Sequence, residues 1–192
     1  VRKDTGVKQN NDCILYLFKK NKVSFFHGRG AFVKADADGY EISVSGKTTE
    51  TLKGKHIIVA TGSNPRALPQ VPFDEKLILS NAGALALEAV PKKLGVIGAG
   101  VIGLEMGSVW RRLGAEVTIL EALPTFLGAV DQQIAAEAQK LFAKQGLSIE
   151  LGVKIGDIKT GKDVSVHYTD ASGKDHNAQF DRLIVSIGRV PN

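Results

Sequence analysis

The sequence predicts an α/β protein in which a parallel sheet with an antiparallel β-meander follows an incomplete copy of the same architecture. Apolar strands and amphipathic helices alternate between residues 94 and 151, which is typical of βαβ units. A glycine-rich turn, GAGVIG (98–103), stands between the first of these strands and its helix. The stretch HIIVATGSNP (56–65) also returns late in the chain as RLIVSIGRVP (182–191). These three observations carry the fold prediction.

The composition argues against membrane-spanning, nucleic-acid-binding, disulfide-rich and metal-binding classes of protein. The 192 residues are 43% hydrophobic and 23% charged, as in ordinary globular proteins, and no apolar run is long enough for a membrane span. The net charge of +5 is scattered and lacks interleaved aromatic residues, so we expect no nucleic-acid partner. The lone Cys13 predicts no disulfide framework and fits a cytoplasmic location. The four histidines have no paired spacing, so we expect no metal.

The first half of the chain predicts a helix, a meander and a buried strand. Residues 2–20 have apolar side chains at helical spacing, and residues 23–51 form short alternating segments separated by turn residues. Residues 56–62 are apolar throughout, which favours a buried strand. Residues 63–92 contain four prolines and are expected to be mostly irregular, with residues 67–91 forming a connection between domains.

The second half predicts a complete nucleotide-binding core. We expect strands at 94–97, 116–120 and 147–151 and helices at 101–113 and 131–144, followed by a second meander and a buried strand ending near residue 188. The predicted domains are therefore an incomplete first segment at 1–66, the connection at 67–91, and a Rossmann-like domain at 92–192.

The repeat predicts that the chain is an internal piece of a longer protein. Gly62 and Gly188 are separated by the same 126 residues as Pro65 and Pro191 (188 − 62 and 191 − 65). Meander, strand, glycine and proline follow in the same order in both halves, which indicates a duplicated unit. The first copy lacks the βαβ segment that precedes the second meander, and the chain does not begin with Met.

The glycine-rich turn carries the chemical prediction. Gly98 permits a tight strand-to-helix turn, Gly100 lets the backbone approach a pyrophosphate, and Gly103 lets the helix pack closely on the strand. Free amides at a helix N-terminus favour such an anion. The next strand ends in Glu121, whose carboxylate can accept hydrogen bonds from ribose hydroxyls and would repel a 2′-phosphate. The cofactor predicted from the residues is therefore NAD rather than NADP.

Glu105 has a less distinctive setting. It lies beside an apolar stripe predicted for the helix, formed by Ile102, Met106, Val109 and Leu113. Arg112 follows at a spacing that allows a weak ion pair. From periodicity alone, a surface carboxylate is the favoured interpretation of Glu105.

The chain resembles the two-dinucleotide pyridine nucleotide-disulfide reductases in LGVIGAGVIGLEMGSVWRRLGAEVTILE, HIIVATGSNP and LIVSIGRVPN. The resemblance covers essentially the whole chain, and IGLEMGSVW and IGRVPN are similar to the bacterial branch that oxidises dihydrolipoyl groups. It implies an NAD-binding domain inserted in an FAD-binding domain, followed by a dimerisation domain. The FAD contacts that it implies are Gly30, Thr61, Gly62 and Ser63. The NAD contacts that it implies are Gly98, Ala99, Gly100, Val101, Ile102, Gly103, Glu121, Val153, Ser186, Ile187, Gly188 and Arg189.

The resemblance also changes the expectation for Glu105, because it matches a catalytic helix glutamate that pairs with a lysine beside the flavin. The implied reaction oxidises the lipoyl-bearing acyltransferase of a 2-oxo acid dehydrogenase complex through a redox disulfide and FAD, passing hydride to NAD in a homodimer. The chain itself lacks the redox cysteine pair, the first glycine fingerprint and the C-terminal His/Glu dyad. Two alternatives remain open: another reductase such as an NADH oxidase or a mercuric reductase, and an NAD-binding module without catalysis.

Overall fold

The computed structural model describes residues 2–192, and its mixed α/β architecture confirms the predicted fold class. The chain forms two compact units, Val1–Ala60 and Thr61–Asn192. The predicted assignment of 1–66, 67–91 and 92–192 to cofactor domains stays a prediction.

The first unit contains one helix and one antiparallel sheet. Helix α1 spans Arg2–Lys20, and the strands are β1 (Gly28–Asp36), β2 (Gly39–Gly46) and β3 (Thr49–Gly54), in the order β1-β2-β3. The meander predicted from the alternating segments is therefore present, although the segment 23–27 is not a strand. None of residues 2–60 is buried.

The strand predicted at residues 56–62 is wrong. This segment is irregular, and Ile58 and Val59 are 91% and 65% exposed. A buried parallel strand needs neighbours that satisfy its amides and cover its side chains. No strand among residues 2–192 pairs with this segment, so neither condition is met.

The second unit begins with a short strand and then builds the predicted βαβ succession. Its elements are β4 (Ser63–Pro65), β5 (Ile78–Leu79), α2 (Asn81–Ala86), β6 (Lys93–Ile97), α3 (Val101–Arg112), β7 (Glu116–Glu121), α4 (Gln132–Lys144), β8 (Ser148–Leu151), β9 (Lys154–Thr160), β10 (Val164–Thr169), β11 (Asp175–Phe180), β12 (Arg182–Val185) and β13 (Arg189–Pro191).

A five-stranded parallel sheet in the order β5-β12-β6-β7-β8 forms the centre of this unit. One face packs against the helices through a cluster that includes Leu104 and Trp110 of α3. The other face packs against the antiparallel sheet β11-β10-β9 through Val164, Val166 and Phe180. The predicted sheet, the predicted second meander and the buried strand β12 are therefore all present.

Residues 67–91 are more ordered than the sequence indicated. They contain β5, which adds a parallel edge strand beside β12, and α2, which is capped by the Ser80 hydroxyl accepting from the Ala82 N–H at 3.1 Å. Ile78, Leu79 and Ala84 are fully buried in the two core clusters. A two-residue strand and a six-residue helix are too short to give a periodic signal, which explains the missed elements.

Candidate nucleotide-binding site

The glycine-rich turn lies where β6 ends, between the carboxyl ends of β7 and β12. Gly98 has φ 104°, and its N–H donates to the Leu120 carbonyl at 2.8 Å. A Cβ at this position would overlap with the Ser186 carbonyl oxygen. Both the left-handed backbone and the close approach of β12 therefore require glycine. Ligands of open α/β sheets bind at this carboxyl edge.

The N-terminus of α3 opens directly after the turn. Its N-cap, Gly100, has no side chain to accept from the first amides, and the first bond into the helix runs from the Leu104 N–H to the Gly100 carbonyl at 3.0 Å. Gly100 is exposed and has open space around its Cα. The amides of Val101, Ile102 and Gly103 thus lack intrahelical acceptors and can bind an anion.

Gly103 has the packing role that the motif predicted. A Cβ there would overlap with the carbonyl oxygen of Gly98, so α3 could not begin as close to the end of β6. The three glycines therefore differ in their surroundings: Gly98 forms the tight turn, Gly100 has open space around it, and Gly103 allows the close helix–strand contact.

Glu121 joins the glycine turn to the end of β7. Its Oε2 accepts from the Ala99 N–H at 2.7 Å, and its Oε1 accepts from the Leu123 N–H at 2.8 Å. Each carboxylate oxygen retains a free lone pair and can accept a further hydrogen bond from a hydroxyl group. The Ala99 N–H, in contrast, is already engaged by Glu121.

Val153 lies beside Glu121 through the backbone. Its N–H donates to the Glu121 carbonyl at 3.0 Å, and its side chain is buried in the meander-side core. Any ligand contact from Val153 would therefore come from main-chain atoms. The Ser186–Arg189 turn completes this edge: the Ser186 N–H donates to the Ile97 carbonyl at 2.8 Å, Ile187 is half-buried, and Gly188 has φ 115° with open space around it.

The structure joins two turns that the resemblance assigned to different cofactors. Strands β4 and β13 pair antiparallel, with Pro191 opposite Ser63 and Arg189 opposite Pro65. Arg189 Nε donates to Ser63 Oγ at 2.7 Å, and its Nη2 donates to the Ser63 carbonyl. Its Nη1 donates to Asn81 Oδ1 at 3.3 Å. The side chains of Arg189 and Ser63 thus bind each other.

Thr61 and Gly62 lie at one end of this β4–β13 ribbon. The Thr61 hydroxyl donates to the Asn192 carbonyl at 3.3 Å, and the Asn192 N–H donates to the Gly62 carbonyl at 3.1 Å. Gly62 has φ 72°, is exposed, and has open space around its Cα. Gly30, in the first unit, lies within β1 opposite Val44. Its role stays a prediction.

Glu105 is exposed on α3, and its carboxylate has no hydrogen bond or ion pair among residues 2–192. The predicted apolar stripe is wrong, since Val109 and Leu113 are 43% and 56% exposed. The buried face instead consists of Gly103, Leu104, Gly107, Ser108 and Trp110. The small residues allow α3 to lie against the sheet, and a Cβ at Gly107 would stand 3.0 Å from Ile119. Exposed apolar residues therefore flank Glu105.

Sequence reasoning missed Asn81 and Asn192, which bind the ribbon, and the Leu123 amide, which binds Glu121. The sequence carries no signal for the two asparagines, because their partners are 108 and 131 residues away. Within residues 2–192, no group of three or more His, Cys, Asp or Glu side chains could hold a metal ion. The described part of the chain also contains no helix long and apolar enough to cross a membrane.

Comparison with known proteins gives one family and a consistent set of relatives. The family model described as pyridine nucleotide-disulphide oxidoreductase matches residues 3–192. The chain is 55% identical over 192 residues to a dihydrolipoyl dehydrogenase of Cupriavidus necator, covering 100% of this chain and 40% of the relative. It is 44% identical over 191 residues to the mitochondrial dihydrolipoyl dehydrogenase of Schizosaccharomyces pombe, covering 98% and 37%.

A solved structure gives the same fold at lower identity. The HOCl-induced flavoprotein disulfide reductase RclA from Escherichia coli superimposes with a TM-score of 0.72 at 25% identity. The match covers 97% of this chain and 42% of that protein. The chain thus spans about two fifths of the length of the relatives that it matches.

Proposed function

The chain belongs to the pyridine nucleotide-disulphide oxidoreductase family, and we propose that it forms the NAD-binding part and a portion of the FAD-binding part of a dihydrolipoyl dehydrogenase. The observation that carries the proposal is the edge built by Gly98, the first turn of α3 and Glu121. The 55% identity to the Cupriavidus necator enzyme along the whole chain supports the choice of reaction.

The residues present fit NAD. The amides of Val101–Gly103 would bind the pyrophosphate, because Gly100 leaves the approach to them open. Glu121 would accept from the ribose hydroxyls through the lone pairs that Ala99 and Leu123 leave free. Main-chain atoms of Val153 and Ser186–Gly188 would complete the contacts. The carboxylate would disfavour the 2′-phosphate of NADP.

The residues present also fit backbone contacts to FAD. The positive φ of Gly62 and the exposure of Thr61 would let the main chain approach a ring. The FAD contact of Gly30, which lies in the first unit, stays a prediction. The Ser63 hydroxyl and carbonyl are engaged by Arg189, so their role would be to hold the turn. Bound FAD and NAD would supply the two-electron chemistry, which no side chain of this chain provides.

Glu105 is the proposed catalytic residue of this segment. It is exposed one turn after Val101 and is uncommitted among residues 2–192, so its carboxylate can pair with a lysine beside the flavin. Such a pair would fix a charge next to the rings between which hydride passes.

The proposed reaction oxidises a dihydrolipoyl dithiol to its disulfide, which removes two electrons and two protons. NAD⁺ accepts two electrons and one proton as hydride, and one proton is released. The proposed protein partner is the lipoyl-bearing acyltransferase of a 2-oxo acid dehydrogenase complex, and the proposed assembly is a cytoplasmic homodimer. The names of the dihydrolipoyl dehydrogenase relatives support the proposed reaction.

A different flavoprotein disulfide reductase is the second candidate, because RclA shares the fold over 97% of the chain. The identities of 55% to a dihydrolipoyl dehydrogenase and 25% to RclA favour the first candidate.

A chimera tests the proposal. The matching residues of the Cupriavidus necator dihydrolipoyl dehydrogenase would be replaced by this chain, and NAD⁺ reduction by dihydrolipoamide would be measured beside the unmodified enzyme. We expect the chimera to bind FAD and to turn over with a preference for NAD⁺ over NADP⁺. A flavin-loaded chimera that binds NADH but leaves dihydrolipoamide unoxidised would contradict the reaction. A chimera that reduces NADP⁺ as well as NAD⁺ would contradict the role of Glu121.

A further inference from the structure

The β4–β13 ribbon brings three segments of the second unit to one guanidinium group. Arg189 begins β13 directly after the Ser186–Gly188 turn. Its side chain reaches Ser63 at the start of β4 and Asn81 at the start of α2. These contacts span 126 and 108 residues, so Arg189 connects segments that the chain itself keeps far apart.

All three nitrogens of the guanidinium group are used. Nε and Nη2 both bind Ser63, at the hydroxyl and the carbonyl, which fixes the plane of the group against β4. Nη1 then points to Asn81 Oδ1. The planar guanidinium group can donate hydrogen bonds in two directions at once. A lysine ammonium group would keep the positive charge but could not donate in this fixed arrangement. The three acceptors are neutral, so the geometry and not a salt bridge defines the contact.

The backbone around Arg189 links the same turns. The Arg66 N–H donates to the Gly188 carbonyl at 3.0 Å, and the Ser186 N–H is bound to Ile97 at the end of β6. Displacement of the Ser186–Gly188 turn would therefore change the position of Arg189, and with it Ser63 and Asn81. The turn proposed to contact NAD and the turn proposed to contact FAD are thus connected by the hydrogen bonds of the Arg189 side chain.

We propose that Arg189 is a positioning residue that couples the Ser186–Gly188 turn to the Thr61–Ser63 turn and to the first turn of α2. This proposal rests on the proposed NAD site. Binding of the dinucleotide at the Ser186–Gly188 turn restricts that turn, and the guanidinium group transmits the restriction to the residues on the flavin side. The role of Arg189 and Ser63 is thus to align two cofactor-binding turns by binding each other.

Hydrogen–deuterium exchange of the chain with and without NADH tests the coupling. In the unsubstituted chain, we expect NADH to slow exchange at residues 186–190, at residues 62–64 and at the Ala84 amide, which binds the Ser80 carbonyl in α2. In Arg189→Lys, NADH should still slow exchange at residues 186–190. The factor by which NADH slows exchange at residues 62–64 and at Ala84 should be about tenfold smaller, because lysine cannot make the same set of hydrogen bonds. In Asn81→Ala, only the effect at Ala84 should be lost.

Arg66→Lys is the matched control, because the Arg66 side chain has no hydrogen bond among residues 2–192 and only its backbone joins the ribbon. It should exchange like the unsubstituted chain. Equal NADH-dependent slowing at residues 62–64 in Arg189→Lys and Arg66→Lys would overturn the coupling. So would slowing at 186–190 without any at 62–64 in the unsubstituted chain, a result that leaves the proposed NAD site intact. Absence of slowing at 186–190 in the unsubstituted chain would overturn the NAD site itself and the coupling with it.

Discussion

Glu121 holds the glycine turn through two amides, and its proposed second role is to accept a hydrogen bond from the ribose of NADH. Replacement by alanine removes the acceptor for the Ala99 and Leu123 amides as well as the proposed bond to the ribose. Hydrogen bonds to charged groups contribute roughly 1.5–3 kcal/mol. We therefore expect Glu121→Ala to raise the Kd for NADH by about tenfold or more. The Kd for NADPH should change less, because the 2′-phosphate no longer meets a carboxylate.

Fluorescence titration with both nucleotides measures this effect. Glu116→Ala is the matched control, since Glu116 is an exposed glutamate at the opposite end of the same strand β7. The control should bind both nucleotides as the unsubstituted chain does. An unchanged ratio of the two Kd values in Glu121→Ala would show that the ribose lies elsewhere.

Alanine should have different effects at two glycines of the same motif: a loss of stability at Gly98 and weaker NADH binding at Gly100. Gly98→Ala meets both a φ of 104° and the Ser186 carbonyl, so we expect the free energy of unfolding to fall by about 2 kcal/mol or more. Gly100→Ala meets open space at φ −72°, and should change stability by less than about 1 kcal/mol. Its methyl group should instead obstruct the phosphate and weaken NADH binding about tenfold.

Urea unfolding and NADH titration of both variants separate these effects. Each variant serves as the control for the other, because the same methyl group is added two residues apart. If Gly98→Ala were as stable as the unsubstituted chain, the close contact between the turn and β12 would be contradicted. If Gly100→Ala bound NADH normally, the proposed approach of the pyrophosphate would be contradicted.

The glycine motif was predictable because its roles depend on local geometry. A strand, a turn and a helix within a few residues define where Gly98, Gly100 and Gly103 must lie, and the family expected from the sequence is confirmed. The partnership of Arg189 with Ser63 and Asn81 was not predictable, because it depends on how distant segments meet. Residue types alone carry no record of such contacts.

Helix α3 shows why periodicity can place an element correctly and orient it wrongly. Its predicted range agrees with Val101–Arg112 to within one residue. The predicted buried face consists of large apolar residues, whereas in the structure Gly103 and Gly107 lie against the sheet. The inner face combines these small residues with the large Leu104 and Trp110, while Val109 and Leu113 remain on the outer face with Glu105.

The turn between β10 and β11 should confer acid sensitivity on the meander. Asp170 accepts from the Ser172 hydroxyl at 2.6 Å, from the Ser172 and Lys174 amides at 2.8 and 3.1 Å, and contacts His176 Nε2 at 2.7 Å. The hydrogen bond from the Ser172 side chain, followed by those from His176 and the backbone, lowers the pKa of Asp170 below its ordinary value. Its ionised form is therefore the one that stabilises the folded meander.

A depressed carboxyl pKa gives stability that is present above the unfolded value of about 4 and is lost as the pH falls through the folded value. We expect Asp170→Asn to lower the Tm at neutral pH, and to lose less Tm than the unsubstituted chain as the pH falls from about 5 to about 2. Circular dichroism melting across this range is the measurement. Asp163→Asn, in the exposed turn between β9 and β10, should retain the full acid loss. If the Tm of Asp170→Asn and that of the unsubstituted chain fell equally with decreasing pH, this contribution of Asp170 would be ruled out.

The two segments of the predicted repeat have different structures. RLIV (182–185) forms the buried strand β12 between β5 and β6. IIV (57–59) has no neighbouring strand among residues 2–192 and is largely exposed. Equal sequence patterns gave unequal structures because burial depends on partners that a pattern does not contain. The two ends of the repeat, SNP and RVP, pair with each other in the β4–β13 ribbon.

The distribution of buried side chains predicts that the second unit is autonomous. Every buried side chain of the described residues lies at or after Val71, and the parallel sheet, the meander and the whole proposed NAD site belong to residues 61–192. We expect residues 61–192, produced alone, to melt cooperatively and to bind NADH within about twofold of the Kd of the full chain, because the apolar burial that drives folding is retained. Calorimetry and NADH titration measure both properties.

Residues 92–192 are the matched control: they lack β5 and α2, and with them the buried Ile78, Leu79 and Ala84, so they should be less stable. Loss of NADH binding by residues 61–192, or equal stability of the two fragments, would contradict this division of the molecule.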